Sequence, residues 1–143
     1  MKNFYPLEIP HEAFRTIKGT CSQYGASPRE MGFIIGAGAA VPGYEDHYMV
    51  WTPNESHDQW DNRLSDDGMY FIETNVDADR ILAHIADTCS RPFVRRITYL
   101  KRRGSDRFDF VGVFQPEPSL SRIARMMIYR LIETNLPKLE IIP

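Results

Sequence analysis

The sequence predicts a mixed α+β domain, and three observations support this class. Apolar residues recur at helical spacing in three segments, whereas aromatic and β-branched residues concentrate in shorter segments typical of strands. The length of 143 residues fits a single domain over 1–143. A composition that is 43% hydrophobic and 25% charged is that of a globular chain with its own core, which excludes wholesale disorder.

The segments predicted to be helices are residues 10–24, 77–89 and about 120–135. Cys21 lies on the apolar face of the first and Cys89 on that of the second, so we expect both thiols to be buried and unreactive. His84 falls off the apolar face of the second helix and is expected to be a solvated surface residue. Tyr129 is expected on the polar face of the third.

The segments predicted to be strands are residues 31–35, 46–52, 69–74, 93–101 and 107–115. The last two are joined by a short connection containing Gly104 and Asp106, which predicts a hairpin. Phe108, Phe110 and Phe114 are expected on one face of its second strand. Residues 53–68 form a polar stretch read as a loop; loops of about that length are usually functional or disordered.

Charge is distributed unevenly along the chain, although the net charge is only -2. Residues 1–88 contain six basic and fourteen acidic side chains, whereas residues 89–130 contain ten basic and three acidic ones. Such segregation predicts opposed surface patches rather than a uniformly basic coat. The alternative is that both patches are solvated faces that partly pair with each other in the fold.

Several functional classes are disfavoured by what the sequence contains. The two cysteines have neither metal-type nor redox-type spacing, and no signal peptide or long apolar run is found, so we expect a cytoplasmic protein with no membrane partner. No serine or histidine lies in a nucleophile motif, which favours a binding module over an enzyme, with no cofactor, no metal and no catalytic residues. Acidic residues around Asp58 and Asp61 keep a small metal-dependent hydrolase open as an alternative.

Aromatic and basic side chains together form the main functional signal. The candidate base-binding residues are Tyr48, Trp51, Trp60, Asp61, Asn62 and Tyr70. The candidate phosphate-binding residues are Arg95, Arg96, Lys101, Arg102 and Arg103. Aromatic rings stack on bases, carboxylates and amides read base edges, and cations hold phosphates. Because aromatic residues on central strands are often buried, we also expect two or three members of the aromatic cluster to belong to the core. This cluster consists of Tyr48, Trp51, Trp60, Tyr70 and Phe71.

A family resemblance supports the same interpretation. Residues 95–100, residues 107–114 and an arginine-rich segment through 129–132 resemble the closing part of PUA-like barrels. Such domains occur in prokaryotic and phage-associated nucleic-acid proteins, including modules attached to restriction nucleases. The run Trp60-Asp61-Asn62-Arg63 is similar to the region before their pocket strand, and the resemblance covers roughly residues 44–135. It implies a small, strongly bent mixed or antiparallel sheet, about three helices packed outside, and a pocket that reads a base, often a modified one.

Together these observations predict a nucleic-acid-binding module that recognises a base, in modified or unmodified form, in an aromatic pocket beside a basic hairpin. Its expected partner is DNA or RNA. The alternative is a phage-type or defence-related inhibitor or adaptor whose acidic half binds a basic protein. The metal-dependent hydrolase is a third hypothesis.

Overall fold

A computed structural model of the chain describes residues 2–28, 38–57 and 59–143. The helical elements of this part are a 3-10 turn at His11–Arg15, α1 (Ile17–Ser22), α2 (Ala78–Cys89) and α3 (Pro118–Ala124). The strands are β1 (Phe4–Tyr5), β2 (Ala39–Ala40), β3 (Tyr48–Trp51), β4 (Ser56–His57), β5 (Trp60–Leu64), β6 (Tyr70–Asn75), β7 (Arg95–Leu100), β8 (Asp109–Pro116), β9 (Met127–Glu133) and β10 (Leu139–Glu140). The strand predicted at 31–35 lies outside the described residues.

The main sheet has eight strands in the order β2-β3-β7-β8-β9-β6-β5-β4. Strands β3 and β7 are parallel, and the other neighbours are antiparallel. Strands β1 and β10 form a separate two-stranded sheet. The predicted α+β class with a mixed sheet is therefore confirmed. Within the described residues the two edge strands, β2 and β4, do not pair with each other, so the strand ladders do not close into a ring.

The core is divided between the two faces of this sheet, because successive side chains of a strand point to opposite faces. On β3, Val50 belongs to an apolar cluster beneath α1, and Trp51 belongs to a second cluster beneath α2. Cys21 is buried in the first cluster and Cys89 in the second, as expected from the sequence. The site described below lies mainly on the α2 side.

Helix α2 forms where the sequence predicts it. The Asp77 side chain caps its first turn by accepting hydrogen bonds from the backbone N–H groups of Asp79 and Arg80, at 2.9 and 3.3 Å. Ile81 and Ile85 recur four residues apart and are buried against the sheet. Burial of this apolar face holds α2 over the sheet, at the position that presents His84 to the second cluster.

The first predicted helix is interrupted. Thr16 has an extended backbone, with φ of -123° and ψ of 154°, so residues 10–24 divide into the 3-10 turn and α1. The chain folds back tightly at Gly19, where a Cβ atom would lie 2.1 Å from the carbonyl oxygen of Ala13. Only glycine fits at this close approach. The Thr16 hydroxyl accepts a 2.9 Å hydrogen bond from the Gly19 N–H and caps α1, so a second helical element begins at Ile17.

The prediction of a third helix through residue 135 is wrong beyond α3. The helix ends at Arg125, whose φ of 56° is left-handed, and the chain then enters β9. Strand β9 lies between β8 and β6 and alternates buried and more exposed residues. Tyr129, expected on a polar helix face, is fully buried. Pairing with two distant strands has overridden a local pattern that also fits a helix.

The prediction that residues 53–68 form a loop is also wrong. This stretch contains β4 and β5, and β5 pairs with β6 along its full length. A turn through Gly68 joins these two strands, and Gly68 has the left-handed φ of 73° that such a turn requires. The polar composition of β5 reflects a strand with Asp61 and Arg63 on its exposed face.

The predicted hairpin of β7 and β8 is confirmed, but its side-chain alternation is not regular. The register shifts opposite Thr98 and Tyr99, where Val111 is left without a partner in the ladder. Phe110 therefore packs against the α1-side cluster, whereas Phe114 belongs to the α2-side cluster. The expectation that both phenylalanines share one face is wrong because of this bulge.

Candidate nucleic-acid interface

The turn between β7 and β8 carries a group of basic side chains around a cavity of about 350 Å³. The residues lining this cavity are Asn54, Lys101, Arg102, Arg103, Gly104 and Ser105. Gly104 has a φ of 81°, the left-handed conformation that lets the chain reverse here. Arg102 and Arg103 are exposed, and neither forms an ion pair with a described residue. These two predicted phosphate ligands are thus brought together with Lys101 and left accessible.

The segment that joins β3 to β4 reaches this basic turn and continues the parallel register of β3 on β7. Asn54 forms an isolated parallel bridge with Lys101. The Lys101 backbone donates a hydrogen bond to the Pro53 carbonyl at 3.0 Å, and the Glu55 N–H donates to the Lys101 carbonyl at 2.9 Å. This segment continues into β4, which pairs with β5. It therefore connects the basic turn with the strand that carries Trp60 and Asn62.

Asn62 is the predicted base-reading residue that lies nearest to this junction. Its Nδ2 group donates a 2.8 Å hydrogen bond to the Asn54 carbonyl, and the residue is 7% exposed. Its Oδ1 atom is buried and has no hydrogen-bond partner among the described residues. A buried acceptor of this kind usually costs stability, and in a binding site it is available to a ligand.

The face of β5 and β6 that carries Asn62 also carries other polar and aromatic groups. Antiparallel pairing sets Asn62 opposite Glu73 and Trp60 opposite Asn75, so all four share one face. The Nδ2 group of Asn75 is likewise buried without a partner in the described part of the chain. This face therefore combines an indole ring, two amides and a carboxyl group beneath α2.

Glu73 is the centre of a buried hydrogen-bond network that the sequence did not predict. Its Oε1 atom accepts a 2.5 Å hydrogen bond from the Tyr129 hydroxyl and lies 2.9 Å from Nε2 of His84. Burial, together with the nearby Glu73 carboxyl, raises the pKa of Tyr129 well above its ordinary value, although Arg96 opposes the shift. The prediction that His84 is a solvated surface residue is therefore wrong: the side chain is partly buried and contacts Glu73. A single acidic residue within the apolar β6 pattern was the only sequence signal for this network.

Two of the predicted site residues lie in the core. Trp51 is 1% exposed and Arg96 is 8% exposed. The Arg96 guanidinium lies over the rings of Trp51 and Tyr129, at 4.9 and 5.0 Å from their centroids. These distances are in the range of cation–π attraction. Phe71 is fully buried in the same cluster, so the expectation that two or three of the aromatic residues are core residues is confirmed.

The remaining predicted residues lie elsewhere. Tyr48 and Arg95 meet at the start of β7 and line a second cavity of about 380 Å³. Arg95 and Lys101 are six steps apart along an extended strand, which corresponds to roughly 20 Å. Asp61 and Tyr70 lie on the outward face of β5 and β6, opposite to the face that carries Asn62. The structure therefore divides the predicted residues into separate groups and does not gather them around one pocket.

The described residues contain neither a candidate metal-ion cluster nor a candidate membrane-spanning helix. In the described part of the chain, no group of three or more histidine, cysteine, aspartate or glutamate side chains is arranged to hold a metal ion. Asp58, one of the candidate ligands, lies outside the described residues. None of the helices in the described ranges is long and apolar enough to span a membrane.

The described structure is a mixed sheet with helices against its faces and a basic turn at one end of β7. A family match confirms the PUA-like class that the resemblance of residues 44–135 implies. The chain belongs to the SRA family, the SET and RING associated domain, whose family model matches residues 9–138. No curated protein sequence matches the chain.

Among solved structures, the chain is similar to the 5-hydroxymethylcytosine-specific restriction enzyme AbaSI. The TM-score is 0.58 at 20% sequence identity, and the match covers 71% of this chain and 33% of that one. The chain therefore corresponds to about a third of that enzyme, and at this identity the likeness concerns the fold.

Proposed function

We propose that this domain binds DNA and recognises a modified base, with a modified cytosine as the first candidate. The observation that carries the proposal is membership of the SRA family over residues 9–138. The similarity in fold to an enzyme specific for 5-hydroxymethylcytosine supports the same class of base. The geometry adds two parts that such recognition needs, a cationic turn for phosphates and a polar, aromatic face for a base.

The phosphate-binding part of the proposal is the turn formed by Lys101, Arg102 and Arg103. Arginine forks and the lysine ammonium match phosphate oxygens, and exposed cations without carboxylate partners lose little on binding DNA. Their position around one cavity allows them to hold neighbouring phosphates of a single strand. Each phosphate contact releases counterions, so the affinity depends steeply on salt.

The base-reading part of the proposal is the face that carries Trp60, Asn62 and Asn75. Cytosine offers an amino donor and ring acceptors on its pairing edge, which complement an unpaired Oδ1 acceptor and an unpaired Nδ2 donor. Trp60 supplies an aromatic surface on which an extruded base stacks. Entry of the base requires the Trp60 ring to part from His84, which now covers it. Tyr48, Asp61 and Tyr70 lie away from this face, and Trp51 is buried in the core beneath α2. We assign none of these four residues a direct contact with that base.

The connection between these two parts is the segment that carries Asn54. We infer that its bridge to Lys101 completes a barrel-like ring through β7, β8, β9, β6, β5 and β4. A phosphate bound at the turn and a base bound beneath α2 would then both lie next to residues that contact the Asn54 segment, namely Lys101 and Asn62. The proposed function therefore places recognition at the point where the ring closes.

The test is a DNA-binding titration by fluorescence anisotropy. It uses three duplexes of one sequence that differ at a single position, carrying cytosine, 5-methylcytosine or 5-hydroxymethylcytosine. We expect tighter binding to a modified duplex and a linear dependence of log Kd on log salt. Arg102→Gln with Arg103→Gln should weaken binding to all three and reduce the salt slope by about two.

The charge-matched control is Lys2→Gln with Lys18→Gln, which removes two exposed cations away from the turn. It should leave the slope nearly unchanged. Equal affinity for the three duplexes contradicts modified-base recognition. Absence of DNA binding, with a stoichiometric complex formed by a basic protein, supports the adaptor alternative.

A further inference from the structure

The cavity at the start of β7 is separate from the proposed DNA site. Arg95 and Lys101 point to the same face of β7, but α1 and its flanking residues cover the strand between them. The Tyr99 hydroxyl donates a 2.6 Å hydrogen bond to Gln23, and Phe14 stacks on Tyr99 with ring centroids 5.8 Å apart. A nucleic-acid strand therefore has no open path along β7 from one cavity to the other.

The cavity combines two cations with an apolar wall. Arg95 and Lys138 line it together with four aliphatic residues, which are Val113, Ile132, Leu136 and Leu139. Neither cation forms an ion pair with a described residue. The carboxylate in the lining, Glu133, already accepts hydrogen bonds from the backbone N–H groups of Thr134 and Asn135, at 2.9 and 3.0 Å.

Both cations are held in place by aromatic residues. The Arg95 guanidinium donates a 3.1 Å hydrogen bond to the Tyr48 hydroxyl and lies 5.7 Å from the centroid of that ring. The Lys138 ammonium lies 4.6 Å from the centroid of the Phe4 ring. Side chains restrained before binding lose less conformational entropy when a ligand arrives.

The segment that forms one wall is also anchored. The Tyr24 hydroxyl donates a 2.5 Å hydrogen bond to the Pro137 carbonyl, and the Tyr44 hydroxyl donates one of 2.8 Å to the Glu140 carbonyl. Pairing of β1 with β10 holds the same segment from its other side. The cavity is therefore a formed feature of the fold, and about 380 Å³ lies in the range of small-molecule sites.

We propose that this cavity binds a small phosphorylated molecule with the size of a nucleoside monophosphate. Arg95 and Lys138 would hold the phosphate, and the aliphatic wall would cover an apolar or aromatic ring. The amide of Asn135 and the free oxygen of Glu133 are available to hydroxyl or amino groups of the ligand. A bare phosphate would leave the aliphatic wall unused, which is why the occupant is assigned an organic body.

The experiment is calorimetric titration of the whole chain with cytidine 5′-monophosphate, cytidine and inorganic phosphate in parallel. We expect saturable binding of the monophosphate, with the other two compounds weaker by about tenfold or more, since each lacks one half of the interaction. Arg95→Gln and Lys138→Gln should each weaken monophosphate binding by about tenfold, because each removes a charge-assisted contact.

The matched control is Arg91→Gln, an exposed arginine that precedes the same strand and does not line the cavity. It should bind the monophosphate like the unaltered chain. Equal binding by Arg95→Gln and this control overturns the proposal, as does binding of inorganic phosphate that accounts for the whole affinity. Loss of DNA binding in Arg95→Gln without loss of monophosphate binding also overturns it and returns Arg95 to a DNA-phosphate role. The duplex titration proceeds independently, so each proposal can fail alone.

Discussion

The indole ring of Trp60 meets the imidazole ring of His84 edge to face, with 5.0 Å between the ring centroids and 70° between the planes. The contact joins β5 to α2 above the buried Glu73 carboxyl, which His84 also approaches. Trp60 is half-buried, so it serves the packing of α2 while keeping part of its ring accessible. Trp60 can therefore both pack against α2 and offer part of its ring as a stacking surface for a base.

We expect Trp60→Ala to weaken binding of a modified-base duplex by about 1–3 kcal/mol, the usual contribution of one base–aromatic stack. The free energy of unfolding should fall by less than the roughly 3–5 kcal/mol of a fully buried tryptophan, because the ring is only half-buried. Trp51→Ala is the comparison variant: because the Trp51 ring is buried, its loss should lower the free energy of unfolding by more than Trp60→Ala does. Anisotropy titration and urea unfolding measure the two effects. Unchanged DNA affinity with a large loss of stability would remove Trp60 from base recognition.

The hydrogen bond from Tyr129 to Glu73 gives a second prediction. Tyr129→Phe removes the hydroxyl from a fully buried position and leaves the Glu73 carboxyl with one partner fewer. We expect the free energy of unfolding to fall by about 1–3 kcal/mol, since a buried acceptor loses its donor. Tyr70→Phe, at a half-buried tyrosine of β6, is the control and should change it by less than about 0.5 kcal/mol. Equal stabilities of the two variants would show that the Tyr129–Glu73 hydrogen bond contributes nothing to stability.

The bulge in β8 gives a third prediction at Gly112. Its φ is 139°, and an added Cβ atom would lie 2.4 Å from Cδ1 of Leu131. Gly112→Ala should therefore destabilise the fold by about 2–4 kcal/mol, through backbone strain and overpacking together. Gly68→Ala is the matched control, because Gly68 also has a positive φ but nothing within 4 Å of the added atom. Gly68→Ala should lower the free energy of unfolding by about 1–2 kcal/mol, because it adds backbone strain without a steric contact. Chemical unfolding measures the stability of both variants. Equal losses of stability would contradict the proposed steric clash between the Cβ atom added at Gly112 and Leu131.

Local sequence signals predicted the elements whose stability is local. Helix α2 has a capping aspartate at Asp77 and one apolar face, and the β7–β8 hairpin has its turn residues. Strand β9 was not predicted because Met127 and Leu131, four residues apart, fit a helical as well as an alternating pattern. Only the distant partners β6 and β8 decide between the two patterns, and neither can be read from the segment itself.

The same limit applies to the candidate site. The basic turn was predicted from composition, since Lys101, Arg102 and Arg103 are consecutive and follow a strand. The approach of Asn54 to Lys101 joins residues far apart in the chain, so no local pattern indicates it. Burial of Trp51 was equally open, because an aromatic residue on a strand fits a core as well as a stacking surface.

The buried thiol of Cys21 gives the last prediction. Burial raises the pKa of Cys21 from 9.0 to about 12, because the thiolate would lose its hydration beneath the sheet. The folded chain therefore keeps the thiol protonated in a range where the unfolded chain releases the proton. The contribution to stability is fully present below pH 9 and is lost as the pH rises towards 12, at a rate of up to about 1.4 kcal/mol per pH unit.

A Cys89→Ala background isolates this effect, because it leaves Cys21 as the one remaining cysteine of the chain. In that background we expect Cys21 to resist a thiol reagent at pH 8 until urea unfolds the chain. Urea titrations at intervals from pH 7 to 10 should show a decline in stability above pH 9. Cys21→Ala in the same background should shift the curve downward through lost packing and reduce that decline. Rapid labelling of the folded chain, or an identical pH dependence in both proteins, would contradict a buried Cys21.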